Sequence, residues 1–145
     1  MDIRFEHRKA FYVSGYSKET KESSHEKDIT ALRKKHESSL RSLASELYFV
    51  SWLTKNDTLI YHFGIERQKP TTTYEDEICI KIPAAYFAVA TVPEGMSVLT
   101  AWMDFFEKEI PALGAVIDTD YGIYFEHIDE NGVCELWIPI IKPDE

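Results

Sequence analysis

The stretch Tyr121-Gly-Ile-Tyr-Phe-Glu-His-Ile-Asp-Glu-Asn-Gly-Val-Cys-Glu-Leu-Trp-Ile-Pro-Ile140 decides how the chain is read. Two β-rich runs flank Asn131-Gly132, a dipeptide that favours a two-residue type I′ turn because both positions tolerate positive φ. With that loop Glu130 faces Val133, Glu126 lies opposite Trp137, and Tyr124 lies opposite Pro139. Opposed residues of an antiparallel pair share a face. The reading therefore groups Tyr124, Glu126, Ile128, Glu135 and Trp137 on one side, and Ile123, Phe125, His127, Leu136, Ile138 and Ile140 on the other. The second, more apolar side is assigned to a helix-covered core. The first presents a carboxylate between large aromatics and is the candidate functional face.

Working outward, the chain of 145 residues is 44% hydrophobic, which suits one domain with a sizeable core. No apolar run is long enough to span a bilayer, and the N-terminus alternates polar and apolar residues rather than forming a signal peptide, so a cytoplasmic protein without membrane partners is expected. Cys79 and Cys134 stand far apart, which argues against a disulfide scaffold or a zinc site and assigns both to buried positions. The formal charge is −9, unfavourable for direct nucleic-acid binding, which rests on neutralising phosphates. Residues 1–70 carry 13 basic and 10 acidic side chains, residues 71–145 only 3 and 15, so the second half favours cations over anions.

Residues 3–16 read as a strand broken at Arg8-Lys9, and 17–27 as a loop or frayed helix start. Asp28 is the expected N-cap of an amphipathic helix marked by Ile29, Leu32, His36, Leu40 and Leu43, with Arg33-Lys34-Lys35 on its solvated side. Strands at 47–53 and 58–65 follow, joined by Lys55-Asn56-Asp57, and residues 67–75 have linker composition. The pattern then recurs: a strand from Ile78 to Thr91 interrupted at Pro83, a helix marked by Leu99, Trp102, Phe105, Phe106 and Ile110 and stopped by Pro111 and Gly114, and the closing hairpin. Ala10-Phe-Tyr-Val13 resembles Ala85-Tyr-Phe-Ala88, and Tyr48-Phe49 resembles Tyr124-Phe125. The expectation is an α+β fold of duplicated β-α-β-β units, about 1–66 and 76–145 around the 67–75 linker. These form a pseudo-two-fold antiparallel sheet with two helices on one face. A two-residue Asn56-Asp57 turn would put Tyr48, Val50 and Trp52 on one face with Tyr61 and Phe63. Together with Tyr124, Glu126 and Trp137 they would line an exposed aromatic groove on the helix-free side, or else form part of a curled barrel core or a dimer contact.

The duplicated plan, the Lys81-Ile-Pro83 segment, Trp102-Met-Asp-Phe-Phe-Glu107, Tyr124-Phe-Glu126 and Glu135-Leu-Trp-Ile-Pro139 resemble the GyrI-like small-molecule-binding domain, the effector-binding domain of bacterial transcription activators. The resemblance spans essentially the whole chain. It implies a groove for hydrophobic, often cationic aromatic compounds, with the glutamate matching Glu126 inside an aromatic pocket. Ligand-binding candidates are thus Tyr48, Trp52, Tyr61, Phe63, Tyr124, Glu126 and Trp137. Many relatives are fused to DNA-binding helices, for which this sequence has no residues to spare, so a separate regulatory protein or a homodimer is the partner to consider. Some stand-alone relatives are hydrolases that open cyclopropane-bearing alkylators, which makes Glu126 the candidate general base. A protein-interaction module acting through the acidic half is a third reading. No cofactor or metal is expected: the five histidines show no ligand spacing, and the glycines form no phosphate loop. Trp102 continues the helix stripe and is assigned to the core, and Glu135 to solvent.

Overall fold

In the computed structural model, which describes residues 1–142, Asn131-Gly132 does form a turn, but not the expected one. Gly132 takes φ +83° while Asn131 stays at negative φ. The Gly132 N–H donates to the Asp129 carbonyl at 3.1 Å, and the Asp129 N–H to the Val133 carbonyl at 3.0 Å, enclosing three residues between Asp129 and Val133. This is a type I turn followed by a left-handed residue, and the Asp129 side chain secures it by accepting the N–H groups of Asn131 and Val133 at 2.8 and 2.9 Å. The extra loop residue moves the register by one: Phe125 lies opposite Trp137 and Glu126 opposite Leu136. Because side chains alternate with period two, the face assignments of the strand before the turn reverse, while Leu136, Ile138 and Ile140 keep the helix side and Glu135 and Trp137 the other. Tyr124, Glu126 and Ile128 point to the helices with Leu136 and Ile138. Trp137 and Glu135 accompany Phe125 and His127 on the other side.

The first hairpin deviates in the same way. The Thr54 N–H donates to the Thr58 carbonyl at 2.8 Å, Asp57 adopts φ +58°, and Tyr48 pairs with Gly64 and Trp52 with Ile60. Tyr48, Val50 and Trp52 therefore share a face with His62, not with Tyr61 and Phe63.

The strands are β1 (Ile3–Arg8), β2 (Phe11–Thr20), β3 (Leu47–Leu53), β4 (Leu59–Arg67), β5 (Ile78–Ile82), β6 (Ala85–Thr91), β7 (Tyr124–Ile128) and β8 (Cys134–Pro139). They form one antiparallel sheet in the order β1-β6-β8-β7-β3-β4-β2-β5. Exchanging β1–β4 with β5–β8 reverses that order onto itself, the expected pseudo-two-fold arrangement. Each broken strand spans both halves, since β1 pairs with β6 and β5 with β2 in one continuous register from Ile3 opposite Ala90 to Gly15 opposite Ile78. Pro83, which has no N–H to give a ladder, sits at the break.

Helix α1 (His25–Arg41) begins earlier than the sequence suggests. Asp28 is not its N-cap; its carboxylate instead accepts the Ser24 hydroxyl at 2.9 Å and the Thr20 hydroxyl, tying the first turn to the end of β2. Helix α2 (Val98–Asp104) is capped by Ser97, whose side chain accepts the Thr100 N–H, and continues through a π-helical turn at Phe105–Glu109 into a last turn at Ile110–Ala112. Both helices lie on one face over Leu47, Phe49, Phe63, Ile65, Leu136 and Ile138. The other face is not the open groove expected. Phe87, Val89 and Phe125 are fully buried there, with Tyr48 and Trp137 at 3% exposure, so the sheet has a core on each side.

Two glycines separate conformational from steric demands. A Cβ on Gly132 would meet nothing within 4 Å, so Gly132→Ala should cost about 1 kcal/mol from the left-handed backbone alone. A Cβ on Gly15 would lie 1.9 Å from the Phe63 carbonyl oxygen, so Gly15→Ala should destabilise several-fold more in urea unfolding monitored by tryptophan fluorescence.

Candidate functional site

Glu126 stands on β7 between Phe49 of β3 and Leu136 of β8, with its side chain directed at the helix layer. Its Oε1 accepts the Trp102 indole N–H at 2.6 Å, the one hydrogen bond to this carboxylate among the described residues. Trp102 stacks on Phe106 at 5.6 Å between centroids, and Phe106 meets the edge of Tyr124 at the same distance. Helix periodicity brings Trp102 and Phe106 together, since positions four apart share a helix face. The π turn begins at Phe105, between them, and such turns are often found at functional sites. Beneath, Phe49 stacks on Phe63 at 4.2 Å, and Tyr61 lies on the same sheet face with the His25 ring against it at 5.8 Å.

The electrostatics follow from this enclosure. Burial of the carboxyl end raises the Glu126 pKa above the ordinary carboxylate value, while the Trp102 hydrogen bond and the Arg33 charge pull it down. Burial and the Glu126 charge together raise the Tyr61 pKa, and they likewise push the neighbouring Cys134 thiol up, so it stays protonated. The result is a cluster of aromatic rings around one carboxylate, one of whose oxygens has no hydrogen-bond donor among the described residues. Trp102 is the group that covers it.

The seven candidates of the sequence reading are divided by the sheet. Tyr61, Phe63, Tyr124 and Glu126 share the helix-side face, with Phe63 fully buried as part of the floor. Tyr48, Trp52 and Trp137 lie on the reverse face. Glu135, expected in solvent, is held by Arg4 at 2.7 Å and His127 at 3.3 Å. The groups missed are Trp102, Phe106, Phe49, Cys134 and Arg33. The spacing of Trp102 and Phe106 is legible, but a stripe of aromatics looks the same whether it seals a core or covers a carboxylate.

Residues 1–141 match the model of the GyrI-like small-molecule-binding domain. The chain belongs to the GyrI-like family. No curated protein sequence matches it. Among solved structures, this GyrI-like domain is similar to SAV2435 bound to tetraphenylphosphonium, with a TM-score of 0.72, 12% identity, and 97% of this chain and 94% of that one covered. A Staphylococcus aureus MU50 protein gives 0.73 at 10% identity over 98% and 99% of the two chains, and the EcmrR C-terminal domain gives 0.62 at 11% over 98% of both. Identities this low establish the shared fold. No helix among the described residues is long and apolar enough to cross a membrane.

The Glu126 environment sets two expectations. Trp102→Phe removes the donor that stabilises the ionised form, so the Glu126 pKa should rise further, read from the side-chain carboxyl resonance in a pH titration. A carboxyl whose folded pKa is raised is destabilising once pH climbs above its unfolded value, because only the unfolded state then ionises freely. Glu126→Gln should therefore be more stable than wild type at neutral pH, with the difference vanishing at a pH below the ordinary carboxylate value.

Proposed function

We propose that this GyrI-like domain binds small lipophilic cations of aromatic or arylated type in a chamber that opens between α1, α2 and the sheet when Trp102 swings aside, with Glu126 as counter-ion. Trp102, Phe106, Tyr124 and Tyr61 form the aromatic walls, and Phe49 and Phe63 the floor. The observation carrying this reading is a carboxylate under an indole, among aromatics, with a single hydrogen-bond donor. A cation beside it restores the electrostatic partner that burial removes, and each aromatic face adds about 0.5 to 2 kcal/mol. Tetraphenylphosphonium, bound by SAV2435 on the same fold, has this chemistry: its charge is spread under four aryl groups and it donates no hydrogen bond. The acidic charge of the chain fits a cationic ligand and disfavours direct nucleic-acid contact. Two free thiols suit a reducing, cytoplasmic setting.

Entry of such a ligand requires the Trp102 indole to swing off the carboxylate, since the two compete for one face of it. The π turn beside Trp102 supplies backbone that can relax to a regular helix as it does so. Of the reverse-face aromatics, Tyr48, Trp52 and Trp137 take no part in this chamber.

Binding should be tested by isothermal titration with tetraphenylphosphonium. Glu126→Gln is expected to weaken it by about ten-fold or more, equivalent to at least about 1.4 kcal/mol. The ligand selects the ionised carboxylate, so affinity should rise with pH through the range above the usual carboxylate pKa and then level off. Titrations in buffers of different ionisation enthalpy should show proton release on the rising part of that profile. Unchanged affinity in Glu126→Gln would remove this carboxylate from the site. Mass spectrometry of the recovered ligands, with a cyclopropane-bearing alkylator included, separates binding from the hydrolytic use of Glu126: unchanged masses mean a receptor, and gain of one water over many turnovers means an enzyme.

A further inference from the structure

The reverse face holds a second constellation with the chemistry of a cation receptor, and it is already filled. The Arg8 guanidinium carbon lies 3.8 Å from the ring centroid of Phe11, 5.3 Å from Trp137, 5.4 Å from Tyr48 and 5.7 Å from Phe125. Arg8 Nη2 donates to Glu66 Oε1 at 2.6 Å and to the Tyr48 hydroxyl oxygen at 3.0 Å, and that hydroxyl donates to the same Glu66 oxygen at 2.7 Å. Four aromatic rings and one carboxylate thus surround a single cation. We propose that Phe11, Tyr48, Phe125, Trp137 and Glu66 form a second ligand site, for a small quaternary ammonium or guanidinium compound that also carries a carboxylate or carbonyl oxygen, and that Arg8 occupies it as an intramolecular stand-in.

The acceptor oxygen in that description comes from an unsatisfied group in the wall. Trp137 is 3% exposed, and its Nε1 is buried with no hydrogen-bond partner among the described residues. An indole N–H only donates, and a guanidinium only donates, so Arg8 fills the box without satisfying Trp137. Buried donors are almost always paired, and an exception asks for an explanation. A betaine-like molecule supplies both halves at once: a cation for Glu66 and the rings, and an oxygen for the indole. The Arg4 guanidinium, 5.6 Å from the same Trp137 ring, adds a positive neighbour for that oxygen. Arg8 is placed to leave. It ends β1, its side chain retains 19% exposure, and the exposed Lys9 and Ala10 follow it before β2.

Arg8 competes for its own site, so the affinity of wild type is reduced by the fraction of time the box is empty. The site also shares no side chain with the Glu126 chamber, although Phe125 and Glu126 are sequence neighbours facing opposite ways on β7.

The test uses glycine betaine and tetramethylammonium as probes, with tryptophan fluorescence and calorimetry as readouts. Arg8→Ala should bind glycine betaine about ten-fold or more tightly than wild type does. Betaine should exceed tetramethylammonium, and that preference should disappear in the Arg8→Ala, Trp137→Phe double variant. Glu126→Gln should leave betaine binding intact, and Arg8→Ala should leave tetraphenylphosphonium binding intact. Thus failure here and failure of the chamber reading are separable. A folded Arg8→Ala protein, verified by near-ultraviolet circular dichroism, that shows no saturable binding of either probe would overturn the proposal, as would loss of betaine binding in Glu126→Gln. If Arg8→Ala does not fold, the wild-type chain decides: the Arg8 side-chain N–H resonance, displaced by the surrounding rings, should move toward its free value as betaine is added, and its constancy at saturating probe would refute displacement.

Discussion

In a sheet of antiparallel hairpins, the loop determines which face every side chain takes, and in this protein two loops do so by the same device. Each carries a left-handed residue at its third position, Gly132 in one and Asp57 in the other, after a type I turn. Each is held by the side chain of the residue before the loop, Asp129 accepting two backbone N–H groups and Thr54 doing the same at longer range. The consequence reaches far beyond the turns. Glu126 and Trp137 take opposite faces because Asp129 pairs with Val133 across three residues.

The sheet that results has no vacant side. Helices α1 and α2 cover one face, and interlocked aromatics cover the other, where Phe125 meets Phe11, Phe87, Tyr48 and Trp137 within 5.1 to 5.9 Å. β7 lies near the middle of the strand order and contributes to both layers from adjacent residues. Its upward residues set a carboxylate under Trp102, and its downward residues wall the box around Arg8. Both sides use the same chemistry, aromatic faces around a charge, with opposite signs for the charge that the chain itself provides. Above, the protein supplies the anion and covers it with a neutral indole. Below, it supplies both the anion, Glu66, and the cation.

Buried charge is tolerated in these layers only where a partner is close. Arg8 has Glu66 at 2.6 Å. His62, fully buried on the reverse face, remains neutral instead: burial lowers its pKa to about 4, and its ring nitrogens are taken up by the Ser17 hydroxyl at 2.6 Å and the Val13 carbonyl at 3.0 Å. Glu126 follows neither course fully, having a neutral donor, a raised pKa and a more distant positive charge on Arg33. That incomplete compensation distinguishes it from Arg8 and His62.

The sequence by itself determined the elements, their order and the internal symmetry, because these depend on local periodicity and on breakers such as Pro83 and Pro111. It also singled out Glu126, by a face shared with Tyr124, which the structure keeps, and with Trp137, which it does not. What it could not decide was the face. Asn131-Gly132 is compatible with both a two-residue and a three-residue loop, and the choice depended on a hydrogen bond from two backbone N–H groups to the Asp129 carboxylate. With period-two alternation, that one residue separated Trp137 from Glu126, and the extra residue between Thr54 and Thr58 separated Tyr48 and Trp52 from Tyr61 and Phe63. Only the packed structure could bring Trp102 to the carboxylate, because the contact joins a helix to a strand 24 residues away. The cage around Arg8 is likewise tertiary: β1, β2, β3, β4, β7 and β8 each contribute to it, and no segment of the chain contains enough of it to be read alone.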